Sequence, residues 1–236
     1  MEFKLNKKII NPIIIQGFPG FGLVGSVATE YLIEFLKAEY VGRFCSEKLP
    51  PVAAVHNNSI VMPLGIYYSK KYNLLIVHGV SGVQGLEWEI AKTIIDLSVK
   101  TKAKEIIALE SVGSQDSKSN TMYYFSNVKT SIKKFESLKL SNLKEGVIMG
   151  VTGTLMVESR MKPNFSAIFA ETHTQLPDSM AASKVLEVLN NYLKLKMNLS
   201  KLKQAAQKFE DKLKGLISAQ AQTFEQSDEK HLSYMG

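Results

Sequence analysis

The chain has 236 residues, 45% of them hydrophobic and 22% charged, which suits one large or two small soluble globular domains with a sizeable core. Its net charge of +7 permits an acidic partner, but the lysines are scattered rather than clustered, which argues against nucleic-acid binding. Cys45 is the only cysteine, so an intramolecular disulfide framework is excluded and a reducing compartment fits.

The opening "MEFKLNKKIINPIII" and the later apolar stretches are too short for a signal peptide or a membrane span. A cytoplasmic protein with no membrane partner is therefore expected. Ile13-Ile14-Ile15 is short and β-branched, the pattern of a buried strand. From Leu23, apolar residues recur at Val27, Tyr31 and Phe35, with Val24, Ala28 and Leu32 alongside, which makes one face of a helix. Between them stands "GFPGFGLVG", whose Gly20, Gly22 and Gly25 give the G-x-G-x-x-G order of a dinucleotide-binding turn.

Further along, Tyr40–Phe44 reads as a strand, Ile60–Leu64 and Gly65–Tyr68 as short strands of a hairpin-like extension, and Leu74–His78 as a buried strand. A glycine-punctuated loop, "GVSGVQG", leads to a helix over Leu86–Lys100. Glu105–Leu109 is a strand followed by the loop "ESVGSQDSKSN"; "MYYFS" is a strand and Val128–Leu138 a helix. Val147–Val151 reads as a strand before the turn "TGT" and a short helix, Ala167–Glu171 as a strand, and Asp178–Met197 as a long helix. This alternation predicts an α/β fold with helices on both faces of a largely parallel or mixed sheet. Gly17–Gly22, Gly79–Gly85, Ser111–Ser117 and Gly150–Gly153 then gather at the edge where such sheets bind ligands.

The body is expected over residues 1–197, an amphipathic C-terminal helix over 198–225, and a flexible tail over 226–236. Leu195, Leu199, Leu202, Ala206, Phe209, Leu213 and Leu216 follow alternating steps of four and three, a heptad seam that must pack on something. Leu202, Phe209 and Leu213 are therefore oligomer-interface candidates. The polar end "HLSYMG" offers Tyr234 as an aromatic anchor and a terminal carboxylate for a partner's pocket.

No constellation points firmly to chemistry. Glu47, at the distance of a ribose-binding acid, stands in a loop-like context. Phe18 and Phe21 are bulky in a turn that should admit a pyrophosphate. A tight strand-to-helix turn accounts for the same glycines. Gly79-Val80-Ser81-Gly82 fails the nucleophile-elbow spacing. A Ser81–His173–Glu171 triad can be drawn without support. His56, His78, His173 and His231 lack metal-ligand spacing. No cofactor, metal or catalytic residue is expected. Tyr67-Tyr68 and Tyr123-Tyr124 read as strand residues rather than stacking platforms.

The segments "PIIIQGFPGFGLVGSVATEYLIE", "VHGVSG", "GVIMGVTGTL" and "LPDSMAASKVLEVLNNYL", in this order, resemble the archaeal members of the proteasome assembly chaperone family, homologues of the second eukaryotic assembly chaperone. The resemblance covers roughly Pro12 to Leu193. It implies a three-layer α/β/α sandwich, related in topology to purine nucleoside phosphorylases without their active site, carrying a C-terminal helical extension. It implies no enzymatic activity, homo-oligomers, in some settings a sister subunit, and a role in assembly or activation of the 20S proteasome. Some members dock a C-terminal hydrophobic–tyrosine–any-residue motif between α subunits of the 20S ring. Tyr234 then corresponds to the motif tyrosine and Gly236 to the carboxylate, with Leu232 and Met235 beside them. Two departures stand out: Tyr234 is third from the end, and Ser233 replaces the hydrophobe, so the register shifts by one residue. The expected function is a non-enzymatic chaperone or adaptor acting through self-association and tails. Phe18, Pro19 and Phe21 are expected in an interface or loop-packing cluster. The alternative is a nucleotide- or nucleoside-dependent enzyme using the Gly20–Gly25 turn.

Overall fold

The structure is a computed structural model, and it describes residues 1–49, 54–56, 59–80, 82–113, 121–159, 163–173, 175–198 and 204. In chain order the strands are β1 (Glu2–Leu5), β2 (Ile13–Gly17), β3 (Glu39–Cys45), β4 (Ala54–His56), β5 (Ser59–Val61), β6 (Leu64–Ser69), β7 (Leu74–Gly79), β8 (Glu105–Gly113), β9 (Met122–Ser126), β10 (Ser141–Asn142) and β11 (Phe165–Thr172). The helices are α1 (Val24–Leu36), α2 (Glu87–Thr101), α3 (Lys129–Ser137), α4 (Gly150–Glu158) and α5 (Ser179–Leu193), with a single 3-10 turn at Phe21–Leu23 ahead of α1.

Nine strands form one sheet in the order β1-β3-β6-β7-β2-β8-β11-β9-β10, and β4 and β5 pair as a separate hairpin. The centre, β7-β2-β8-β11, is parallel. It is flanked by antiparallel β6, β3 and β1 on one side and antiparallel β9 on the other. The central strands are largely apolar on both faces, as strands covered twice tend to be, with Gln16, His78, Glu105 and Glu110 as buried polar exceptions. Alternate residues divide between two cores. Ile15, Ile76, Ile107 and Ile168 join Val27 of α1, Phe135 of α3 and Leu186 of α5. Ile14, Val77, Ala108 and Phe169 join Ile90 and Ile94 of α2 and Leu155 of α4. Successive strand side chains point to opposite faces, so α1, α3 and α5 cover one face and α2 and α4 the other. That is the three-layer α/β/α arrangement expected from the sequence.

α5 is tied down by a buried carboxyl. Glu105 accepts hydrogen bonds from Ser131 Oγ and Tyr192 Oη at 2.9 Å each, and from Ser166 Oγ. These bonds join β8, α3, β11 and α5. Burial beside Glu105 pushes the Tyr192 hydroxyl far above the usual tyrosine range. The Tyr192 ring stacks on Phe135 with centroids 4.5 Å apart, within the favourable range for aromatic pairs.

Several sequence expectations are corrected. Val147–Val151 is not a strand: α4 begins at Gly150 (φ 73) and takes in the "TGT" segment. Both edges of β11 are already occupied, by β8 and β9, so this run has no free place in the central sheet. The strand at Glu105 extends to Gly113, through the first four residues assigned to a loop, because β11 pairs with it over Ile106–Gly113. Ile60–Leu64 divides between the β4–β5 hairpin and the start of β6. Asp178 is the N-cap of α5, its carboxylate accepting from Ala181 N at 2.9 Å. The helix stops at Leu193, before Lys194 in the left-handed region (φ 56). β1, β4 and β10 were not anticipated.

Candidate functional site

The carboxyl ends of the parallel strands fall on one edge, where the chain turns from β2 into α1. Gly17 and Gly25 are there for close packing. A Cβ on Gly17 would stand 2.1 Å from Gly25 O, and one on Gly25 would stand 2.6 Å from Leu109 O. Ser26 Oγ donates to Gly79 O at 2.8 Å, joining α1 to the end of β7. The turn is braced further by Asp178 N donating to Gly22 O at 2.9 Å and by Ser111 Oγ donating to Phe21 O. Phe18 is buried beside Gly79, whereas Phe21 is 39% exposed.

A cleft of about 460 Å³ opens on this edge between the Phe18–Phe21 turn, residues 82–84, the end of β8, and the Val147–Val151 segment. Its walls are mainly apolar, and Glu110 lies in it. Glu110 is 8% exposed. One oxygen, Oε1, accepts from Ser111 N at 3.0 Å, and Oε2 accepts from Thr152 Oγ1 at 2.9 Å. Thr152 Oγ1 in turn accepts from Gln16 Nε2 at 2.9 Å, and Gln16 Oε1, also buried, has no hydrogen-bond partner. Burial dominates the ionisation of Glu110 and pushes its carboxyl up to about 7, against the opposing pull of the Ser111 and Thr152 hydrogen bonds. No described cation lies within ion-pair distance of it.

This geometry opposes a pyrophosphate on the glycine turn. Gly22, the glycine that should approach the phosphate, packs instead against Thr172 and Asp178, where an added Cβ would stand 3.0 Å from Thr172 Oγ1. Gly20 before it abuts a carboxyl group, with an added Cβ only 2.6 Å from Glu110 Oε1. Glu47 lies elsewhere, lining a pocket with Met1, Arg43 and Met62.

Ser81 lies outside the described residues. Glu171 accepts from Thr121 N at 2.9 Å and from Tyr123 Oη at 3.0 Å, which ties β11 to the start of β9. His78 is fully buried, with Nδ1 2.8 Å from Thr29 Oγ1. Its Nε2 lies 3.0 Å from Glu30 Oε2, within ion-pair distance but out of hydrogen-bond alignment. Among the described residues no group of three or more His, Cys, Asp and Glu side chains is placed to hold a metal ion. No described helix is long and apolar enough to cross a membrane.

Leu202, Phe209, Leu213, Leu232, Tyr234, Met235 and Gly236 all lie outside the described residues. The approach to them is visible. Leu195 and Met197 are buried in the core, and Leu195 O accepts from Tyr72 Oη at 2.6 Å. Tyr72 precedes β7, so the body hands over to the C-terminal segment at the amino edge of the sheet, opposite the cleft.

Sequence reading overlooked Gln16, Glu110 and Thr152. The available signal was a glutamate directly after the apolar run "IIAL" of β8, a charged residue where a buried strand was still in progress.

A family model described as the PAC2 family matches residues 14–217. Among solved structures the chain is similar to Pyrococcus furiosus PbaA, described as an archaeal homolog of proteasome-assembly chaperone, with 30% identity, a TM-score of 0.82, and coverage of 91% of this chain and 95% of that one. Pyrococcus furiosus PbaB, described as an archaeal proteasome activator, shares the fold at a TM-score of 0.74 with 22% identity, over 91% of this chain and 97% of that one. The uncharacterized protein MJ0106 of Methanocaldococcus jannaschii is 28% identical over 95% of this chain and 93% of its own length.

Proposed function

The chain belongs to the PAC2 family, and we propose on that basis that it is a non-enzymatic chaperone or adaptor assisting assembly or activation of the 20S proteasome in the cytoplasm. The likeness to PbaA carries this reading, because it extends to sequence as well as fold and spans nearly the whole chain. The α/β/α body self-associates, with Pro19 and Phe21 at its carboxyl edge and the seam of Leu202, Phe209 and Leu213 as interface residues. Each copy then contributes one C-terminal end, and Leu232, Tyr234, Met235 and the Gly236 carboxylate engage α subunits of the 20S ring. A sister subunit joining the oligomer fits the same scheme.

Two features favour this arrangement. The body hands over to the C-terminal segment at the amino edge, so the segment that leads to the tail leaves the body at the end opposite Pro19 and Phe21. Several tails on one oligomer also act at high effective concentration, which offsets a weak individual tail. That matters here because the tyrosine is displaced by one residue.

The experiment is co-elution of the purified protein with 20S particles or free α subunits, with the tail intact and with Leu232–Gly236 deleted. Deletion abolishes co-elution and leaves the oligomer unchanged. Undiminished co-elution refutes the tail mechanism, and failure of the intact protein to associate with either species refutes the proteasome role.

A further inference from the structure

The cleft at the carboxyl edge is built around the Glu110 carboxyl, and its described lining supplies no cation to neutralise it. Glu110 and Glu87 are the titratable groups among the described lining residues; no described Lys, Arg or His lines the cleft, although the chain carries a net charge of +7. Glu110 is held in place by Ser111 N and by Thr152. Placing a carboxylate in such an apolar surrounding is costly unless a cation accompanies it. The walls that lead to it are apolar: Val83 and Val151 are buried, and Val147 and Met149, 89% and 81% exposed, stand at the mouth. An apolar channel ending at a carboxylate is complementary to an aliphatic stem ending in an ammonium group. The same charge repels phosphates and carboxylates.

From this geometry we infer that the cleft is a binding site for an alkylammonium group, with Glu110 as its counter-ion and the Val147–Val151 segment and Val83 enclosing the stem. The inference does not rest on the proteasome reading, although the cleft is partly lined by Pro19 and Phe21, the carboxyl-edge residues proposed for self-association. Two sources share this chemistry, a free alkylamine and the side chain of a protein lysine.

Binding is coupled to protonation. The amine binds the ionised carboxyl, so its affinity falls as pH drops below about 7, by approximately tenfold for each pH unit well below that point. Around Glu110, β2 presents the neutral Gln16, α4 presents the neutral Thr152, β8 itself presents Ser111, and α2 contributes Glu87 to the cleft wall. Glu87 adds negative charge and so favours the same ligand.

The test is calorimetric and NMR titration of the full-length protein with n-pentylamine, with Nα-acetyl-lysine methylamide, and with n-pentanol as the uncharged control. At least one amine is expected to perturb the resonances of Val147, Met149 and Val151, with pentanol much weaker. Glu110→Gln is expected to weaken the amine by at least roughly tenfold, the value of a charged hydrogen bond. Met149→Lys, at an exposed position, sets a fixed cation at the mouth and weakens the amine without touching the fold. Tighter binding of the lysine derivative assigns the site to a protein side chain, and tighter binding of pentylamine assigns it to a free amine. Absence of binding by both amines overturns the inference, as does pentanol binding as tightly as pentylamine or equal amine affinity for the wild type and Glu110→Gln.

Discussion

Replacing Glu110 by Gln should make the protein more stable at neutral and alkaline pH, with the gain vanishing in acid. The native carboxyl titrates at about 7 rather than 4.5 because it is buried. Between those two values the folded chain binds a proton that the unfolded chain has released, so stability falls as pH rises. The interval from 4.5 to about 7, at roughly 1.36 kcal/mol per pH unit, amounts to about 3 kcal/mol. All of this stability is present below the unfolded value and lost above the folded one. The variant cannot ionise and escapes the loss. It also keeps the polar chain intact. Its amide donates to Thr152 Oγ1, and the Thr152 hydroxyl then donates to Gln16 Oε1 after a half-turn of the Gln16 amide, the reverse of the present polarity. For a chain of this size the difference corresponds to a melting temperature about 6–12 °C higher. The assay is thermal unfolding of both proteins in matched buffers from about pH 4.5 to pH 8; titrations elsewhere in the molecule cancel in the difference. A difference independent of pH, or a variant less stable than the wild type at pH 8, refutes the reasoning.

Three further outcomes are expected. Deleting Leu232–Gly236 abolishes co-elution with 20S particles while light scattering shows the oligomer unchanged. Tyr192→Phe removes one of the hydroxyls that hold buried Glu105 and costs about 1–3 kcal/mol, seen as a lower urea midpoint; an unchanged midpoint means that Ser131 and Ser166 suffice. Asp178→Ala loses the α5 cap and the 2.7 Å bond from Thr172, costing about 1–2 kcal/mol, whereas Asp178→Asn retains most of that stability; equal losses in the two variants contradict the capping role.

The fold was largely legible because its signals are local. The β-branched run at Ile13–Ile15 and the apolar spacing from Val24 to Phe35 each declare an element without reference to the rest of the chain. The Val147–Val151 run misled because an apolar stretch of that length suits a strand, and only the occupied edges of β11 exclude one. Glu110 was misread for a related reason: a glutamate before Ser and Gly looks like a loop, and the strand continues there because β11 pairs with it.

The sequence by itself determined the alternation of elements, the glycine edge, the heptad spacing beyond Leu195 and the displaced Tyr234, all of which depend on neighbours in the chain. Tertiary structure decided what the glycine edge is for. Gly25 is a glycine because α1 presses against the Leu109 carbonyl, and Glu110 is a buried acid with no cation beside it among the described residues because β2, β8 and α4 converge on it. Burial and charge environment arise from residues far apart in the sequence, as Gln16, Glu110 and Thr152 are here, and no local pattern encodes them.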